Sequence, residues 1–469
     1  MIALAVAAPV AGATLATAVR YRPVRRLLRV AFSVIAVVLA LMALPEIDRL
    51  SGLFVVIISV LSLMATMYSL SIFPSSQYET DHWAGRPVYC ILLGAFSTSM
   101  LAAVVSTTFI GLWIGISATT LATTFLVGFS GGKASLEAAW KYLVLCSFGI
   151  AIALIGILLL GRAGMTANIP AAAALSWDTL AAHAGGQLSP ALTRVALLLM
   201  LLGFGTKAGL VPMHSWLPDA HSKAPAPISA LLSGLLVSCA LYAIVRVQHV
   251  AAATSPTLFD NVLLCVGSLS ILVAAPLMLV QRDIKRLLSY STVEHAGLVA
   301  IALGLGTPLG AFAAMYHIVN HAFTKSLAFF AVGIVQHERS TTTIGKLHGL
   351  WHDPSGKLLL AALVALMGLP PFGIFLSELL IILAAASAHQ WVVLTCALVG
   401  LLIAFIALAR LAIETESGDR VARTPGERWP ILAFASVGGT VIAAVLLVLV
   451  PFVSTFSINS AVPVAIGMH

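Results

Sequence analysis

The chain has 469 residues, 60% of them hydrophobic and only 9% charged, with a mean hydropathy of +1.05. A soluble domain carries about 25% charged residues, so the composition excludes one and indicates an all-α integral membrane protein. The net charge of +8 does not require nucleic acid as a partner, because its distribution along the chain has another explanation.

Apolar segments of about 17–25 residues read as spanning helices. About fourteen occur, at 2–18, 30–46, 51–72, 88–107, 109–129, 139–161, 191–211, 226–247, 259–281, 287–305, 308–335, 357–386, 391–412 and 430–456. The first has no basic residues before it and its arginines follow it, so it reads as a reverse-oriented anchor, not a signal peptide. Arg20, Arg22, Arg25, Arg26 and Arg29 lie between the first two spans. Arg282, Lys285 and Arg286 precede span ten, Arg339 and Lys346 precede span twelve, and Arg410, Arg420, Arg423 and Arg428 precede span fourteen. All of these fall on one side, while the other holds little beyond Arg49, Arg162, Arg194 and Arg246. This bias places the charged side in the cytoplasm and both termini outside it. The longest connection, Arg162 to Pro190, is too short for a separate domain, so residues 1–469 form one membrane domain.

Lys207 stands in the apolar run that ends at Pro212. A charge at mid-bilayer depth costs at least about 2.5–3.5 kcal/mol and ordinarily faces a partner or a polar cavity. Pro212 lacks the N–H that a continuing helix would use, and Pro218, Pro225 and Pro227 follow. A second interruption, Gly368-Leu-Pro-Pro-Phe-Gly373 with Pro370-Pro371 at its centre, precedes Glu378. Paired interruptions of this kind point to two inverted five-helix repeats. The expected division is three leading helices (1–87), a first repeat (88–247), a second (259–412) and a last helix with its tail (430–469).

His317, His321 and Lys325 recur at i, i+4 and i+8, which puts them on one helix face. Titratable groups at that spacing read either as a ladder for protons, with water between the steps, or as histidines hydrogen-bonded between packed helices. Histidines so spaced also bind zinc, but no carboxylate or cysteine nearby completes a ligand set. Glu294 and His295 lie two turns into span ten and serve either an access route or helix packing, whereas Lys285 and Arg286 are expected at the headgroup surface. Asp219 and His221, in the broken part of span seven, are expected at a mouth or in a structural hairpin. The five cysteines form no Cys-x-x-Cys pair, which argues against an iron–sulfur or zinc site in this chain.

From about residue 88 to 412 the chain resembles the proton-translocating, antiporter-like membrane subunits shared by respiratory complex I, Mrp-type antiporters and membrane-bound hydrogenases. The resemblance is carried by Gly205-Thr-Lys-Ala-Gly-Leu-Val-Pro-Met-His-Ser-Trp-Leu-Pro-Asp-Ala-His221, Lys285-Arg-Leu-Leu-Ser-Tyr-Ser291, His317 to Lys325 and Gly368-Leu-Pro-Pro-Phe-Gly373. Ser291-Thr-Val-Glu-His-Ala-Gly297 is similar to the hydrogenase-4 F-type members of that group. The resemblance implies fourteen helices, two inverted repeats broken at helices seven and twelve, and a line of buried charges. Lys207 would be the central lysine of helix seven and Glu378 the terminal charge of helix twelve.

Two positions depart from the pattern. The glutamate that pairs with the helix-seven lysine is replaced by Ser117, and the helix-eight relay residue by Ser238. Glu137, in the connection before span six, is not a simple replacement. A hydroxyl supports a water wire but stores no proton.

The resemblance implies a proton-translocating, itself non-catalytic subunit of an oxidoreductase complex in a bacterial or archaeal inner (plasma) membrane. Nickel–iron (NiFe), iron–sulfur or other redox centres would lie in membrane and peripheral partner subunits, with no cofactor in this chain. The path would use Lys207, Glu294, His295, His317, His321, Lys325 and Glu378. Sodium in place of protons stays open as the ion moved; the alternative functions are a cation/proton antiporter or inorganic-carbon uptake subunit, and a non-pumping membrane anchor in which Ser117 has removed the pair.

Overall fold

The computed structural model describes residues 1–19, 21–71, 87–171, 173–183 and 188–419, together with 438, 440 and 441. In chain order the helices are α1 (Ile2–Ala18), α2 (Arg22–Met42), α3 (Arg49–Ser71), α4 (Pro87–Val105), α5 (Phe109–Val127) and α6 (Lys133–Thr166). A short α7 (Trp177–Ala182) precedes α8 (Pro190–Ala208), α9 (Trp216–Lys223), α10 (Ala226–Leu231) and α11 (Val237–Thr254). Then come α12 (Pro256–Leu279), α13 (Ile284–Gly304), α14 (Pro308–Arg339), α15 (Pro354–Leu366), α16 (Gly373–Ser387) and α17 (Trp391–Glu416). The protein is an all-helical membrane protein. Among the described residues 10 helices are long and apolar enough to cross a membrane, and α1, α15 and α16 are shorter apolar helices. The expected span at 430–456 lies outside the described residues except for 438, 440 and 441, as do Arg20, Arg420, Arg423 and Arg428.

Helix starts follow local chemistry. Thr108, Asp283 and Thr307 each accept a backbone N–H with their side chains at the heads of α5, α13 and α14. Proline occupies the first turn of α2, α8, α12, α14 and α15, where its missing N–H costs nothing. Helices outrun the apolar runs that announce them. α2 starts at Arg22, not residue 30, and α6 at Lys133, not 139. A backbone ladder continues under polar side chains wherever no breaker stops it. Glu137 therefore lies on α6 and not in a connection, where it pairs with Lys141 at 2.7 Å.

α14 runs through the centre of the bundle, and its best membrane-length window is wholly buried. It packs against α13, α16, α15 and α10. α10 and α11 are joined by a π-helical turn, Leu232–Leu236, the kind of bulge that often marks a functional site. Gly234 in that turn lies against α14: a Cβ there would come within 2.8 Å of both the Ala322 carbonyl and Ser326 Oγ. Gly234→Ala is expected to lower stability by about 1–3 kcal/mol through overpacking, read as a drop in the thermal midpoint of the purified protein. An unchanged midpoint would show that α14 gives way easily at this level. Midway along α11, Arg246 Nη2 meets Asp48 Oδ1 at 2.6 Å, just before α3. Burial alone would raise the Asp48 carboxyl, but the Arg246 guanidinium and Ser51 more than offset it and hold it below its ordinary value.

Candidate functional site

Two polar clusters sit inside the apolar bundle. The first surrounds Lys207, which lies in the last turn of α8 and is 0% exposed. Gly209 takes the left-handed conformation (φ +74°) that ends α8, and the Leu210 N–H closes back on the Gly205 carbonyl. The chain then passes Pro212 and re-enters as α9, whose Trp216 Nε1 donates to the Thr206 carbonyl at 2.8 Å. That indole satisfies one of the carbonyls a broken helix leaves without partners.

Lys207 Nζ donates to Thr120 Oγ1 at 2.8 Å and to Tyr142 Oη at 2.6 Å. Tyr142 Oη is bonded in turn to Thr123 Oγ1 at 2.6 Å. No carboxylate pairs with this amine among the described residues. Ser117 donates to the Trp113 carbonyl of its own helix at 2.7 Å and takes no part in the cage. The missing glutamate is thus answered by neutral hydroxyls one turn along α5 and across on α6. Such a cage accepts hydrogen bonds from an ammonium without neutralising it.

The second cluster is built from α13, α14 and α16. Lys325 is fully buried, and its Nζ donates to Ser291 Oγ at 2.7 Å and to the Leu288 carbonyl at 3.1 Å. Glu294, one turn beyond Ser291, places Oε2 3.7 Å from His295 Nε2. His295 Nδ1 lies 3.1 Å from His317 Nε2, and His317 Nδ1 lies 2.9 Å from Ser377 Oγ. The His321 ring packs 5.2 Å from His295, and its Nε2 has no partner. Glu378 follows Ser377 on α16, with its carboxylate against Gly368 in the second break. Gly368 is left-handed (φ +63°) there, like Gly209 in the first break, and both breaks carry a cis proline bond, Val211-Pro212 and Pro370-Pro371.

The ladder expected along one face of α14 therefore crosses between helices. His317 and His321 rings are 6.4 Å apart along α14, while His317 is hydrogen-bonded to His295 on α13. Among the described residues no group of three or more His, Cys, Asp or Glu side chains is arranged to hold a metal ion.

The two residues expected at a mouth differ in their surroundings. Asp219 is partly exposed; it meets Lys141 at 3.3 Å and Arg286 at 2.9 Å, linking α6, α9 and α13. His221 is 0% exposed, and neither ring nitrogen has a hydrogen-bond partner within 3.5 Å among the described residues. Its ring stacks between Trp216 (6.3 Å) and Phe329 (5.6 Å), one turn beyond Lys325 on α14. Trp216 itself packs on Tyr142 at 5.1 Å, so His221 stands between the two clusters. Ser238 donates to the Gly234 carbonyl at 2.7 Å, inside the π-helical turn.

Lys285, expected at a headgroup surface with Arg286, is only 2% exposed, and its amine donates to the Ala224 carbonyl. The Asp283 cap starts α13 so that Lys285 turns inward, toward the carbonyls at the end of α9, while Arg286 turns out to Asp219. Sequence reasoning also missed Thr120, Tyr142, Ser291 and Ser377. Tyr142 and the Thr119-Thr120 and Thr123-Thr124 pairs were visible as polar positions in apolar spans, but nothing local ties them to Lys207.

The chain is 40% identical over 311 residues to a hydrogenase-4 component F homolog of Methylacidiphilum infernorum, covering 66% of this chain and 65% of the relative. It is 31% identical over 333 residues to hydrogenase-4 component B of Escherichia coli, covering 67% of this chain and 47% of the relative. The matched region thus spans less than two thirds of these relatives' own lengths. Among solved structures, a chain of the archaeal membrane-bound sulfane sulfur reductase superposes with a TM-score of 0.84 at 23% identity, over 100% of this chain and 97% of the other. A chain of respiratory complex I from Thermus thermophilus gives 0.79 at 24% identity, over 97% and 99%. These likenesses show a shared fold. Residues 106–404 match the family described as NADH:quinone oxidoreductase/Mrp antiporter, TM, and the chain belongs to that family.

Proposed function

We propose that the chain is a proton-translocating subunit of a hydrogenase-type or complex I-like membrane assembly, held in a bacterial or archaeal plasma membrane with both termini outside the cytoplasm. The observation that carries this reading is the line of buried ionisable groups from Lys207 through His221 and Lys325 to Glu294, His295, His317 and Glu378. Each is 9% exposed or less, in a bundle where an ionisable group without a task is costly. The two breaks, each with a left-handed glycine and a proline next to an ionisable helix, support two inverted five-helix repeats, α4–α11 and α12–α17, with one proton site in each.

Lys207 holds the proton of the first site. The neutral His221 imidazole accepts a proton at one nitrogen and releases one from the other, passing charge to Lys325. From Ser291 and Glu294 the His295–His317 contact leads to Ser377 and Glu378. Asp219, with Lys141 and Arg286, marks the entrance. Energy would come from redox centres in partner subunits, as the relatives named for hydrogenase-4 suggest.

The test is purification from native membranes, identification of the co-purifying subunits, and reconstitution in vesicles with a pH-sensitive dye. Redox subunits should accompany the chain, and their turnover should acidify one compartment. Lys207→Ala is expected to cut proton movement at least about tenfold, since a 1.4 kcal/mol rise in a barrier suffices for that. Redox turnover with no proton movement in the unaltered complex would instead assign the chain an anchoring role.

A further inference from the structure

A recess opens between α1, α2, α3 and α4, away from the line of charges just described. Arg29 of α2 forms part of its wall. The side chain is 8% exposed, and its Nε and Nη2 are buried without a hydrogen-bond partner among the described residues. No aspartate or glutamate is among the described residues lining the recess. Arginine does not lose its proton in proteins, so a permanent positive charge stands here without a counter-charge among the described residues of the lining. Water would satisfy its N–H groups but would leave that charge uncompensated.

The remaining polar lining fits an anion. Ser33, Thr66, Ser69 and Ser97 each direct a hydroxyl hydrogen to a carbonyl of their own helix. Ser59 and Ser62, buried on α3, have hydroxyls with no partner among the described residues. The uncommitted donors of the recess are thus two hydroxyls and a guanidinium, the set that binds phosphate oxygens. Arg29 lies two turns into α2, with Arg25 and Arg26 nearer its start. The rest of the wall, including Leu70, Leu93 and Leu101, is apolar.

We propose that this recess binds a phosphate oxyanion on Arg29, Ser59 and Ser62, and that an anionic phospholipid headgroup brings it. Guanidinium and hydroxyls would hold the phosphate, and the apolar wall would take the glycerol end of the acyl chains. A lipid held there would tie the three leading helices to α4.

The complex, purified in detergent and stripped of loosely bound lipid, is examined by native mass spectrometry and thermal unfolding with phosphatidylglycerol, phosphatidylcholine or inorganic phosphate added. Phosphatidylglycerol is expected to remain bound and raise the midpoint, with phosphatidylcholine at least tenfold weaker. Arg29→Gln should weaken phosphatidylglycerol at least tenfold, while Arg25→Gln changes it less than twofold. Should Arg29→Gln fail to assemble, the Ser59→Ala/Ser62→Ala variant reads the same loss, expected at several-fold. An Arg29-dependent rise with inorganic phosphate alone upholds the oxyanion site and assigns it to a soluble anion. No response to either probe that depends on Arg29 or on the two serines overturns the proposal.

Discussion

Lys325→Ala is expected to lower proton translocation by the assembled complex at least about a hundredfold, more than any other single change in the second cluster, corresponding to about 2.7 kcal/mol on the limiting barrier. Lys325 is where the two clusters meet: its amine bonds α13 through Ser291 and the Leu288 carbonyl, and its helix carries both His317 and His321. On the proposed route, loss of the amine leaves Glu294, His295, His317 and His321 in place but removes the proton acceptor bonded to Ser291. Lys325→Arg separates the two roles such a residue can have. Arginine keeps the positive charge and does not release its proton, whereas lysine in a buried site exchanges one. If Lys325 acts as a proton carrier, Lys325→Arg is as inactive as Lys325→Ala. Vesicle acidification within twofold of the unaltered complex in Lys325→Arg would show that only the fixed charge matters there. Subunit composition, measured on the same preparations, separates loss of transport from loss of assembly.

The groups that the sequence exposed and those it hid differ by a physical rule. Lys207, His317, His321, Lys325 and Glu378 stood out because a charge or an imidazole in an apolar run is expensive and therefore conspicuous. The breaks at Pro212 and Pro370-Pro371 stood out because proline removes a donor. What was hidden is the identity of the partners. Thr120, Tyr142, Ser291 and Ser377 are hydroxyls on other helices, brought in by packing, and a serine or tyrosine in a membrane helix costs too little to draw notice. The same limit applies to direction. A spacing of four put His317 and His321 on one face of α14 but did not show that His317 bonds across to His295. Lys285 was misread because position near a helix start suggests a surface, while its orientation depends on where the carbonyls of α9 end. Helix ends were misplaced at α2 and α6 because hydropathy registers apolar length, not the ladder of backbone bonds.

His221→Phe is expected to separate the two clusters without disturbing the fold. The ring of His221 is held by stacking on Trp216 and Phe329, contacts that a phenyl ring reproduces. What the substitution removes is two buried nitrogens that have no hydrogen-bond partner. A buried unsatisfied polar group costs about 1–3 kcal/mol, so the variant should be as stable as the parent or more so. A residue kept only for packing would then be better as phenylalanine. Translocation, in contrast, should fall at least about tenfold, because the imidazole stands between the Tyr142–Trp216 contact and Phe329, and a phenyl ring there carries no proton. The two readouts move in opposite directions only if the imidazole is used. A variant that gains stability and translocates at the parental rate would place the route elsewhere, through water alone, and leave Lys207 and Lys325 as separate sites.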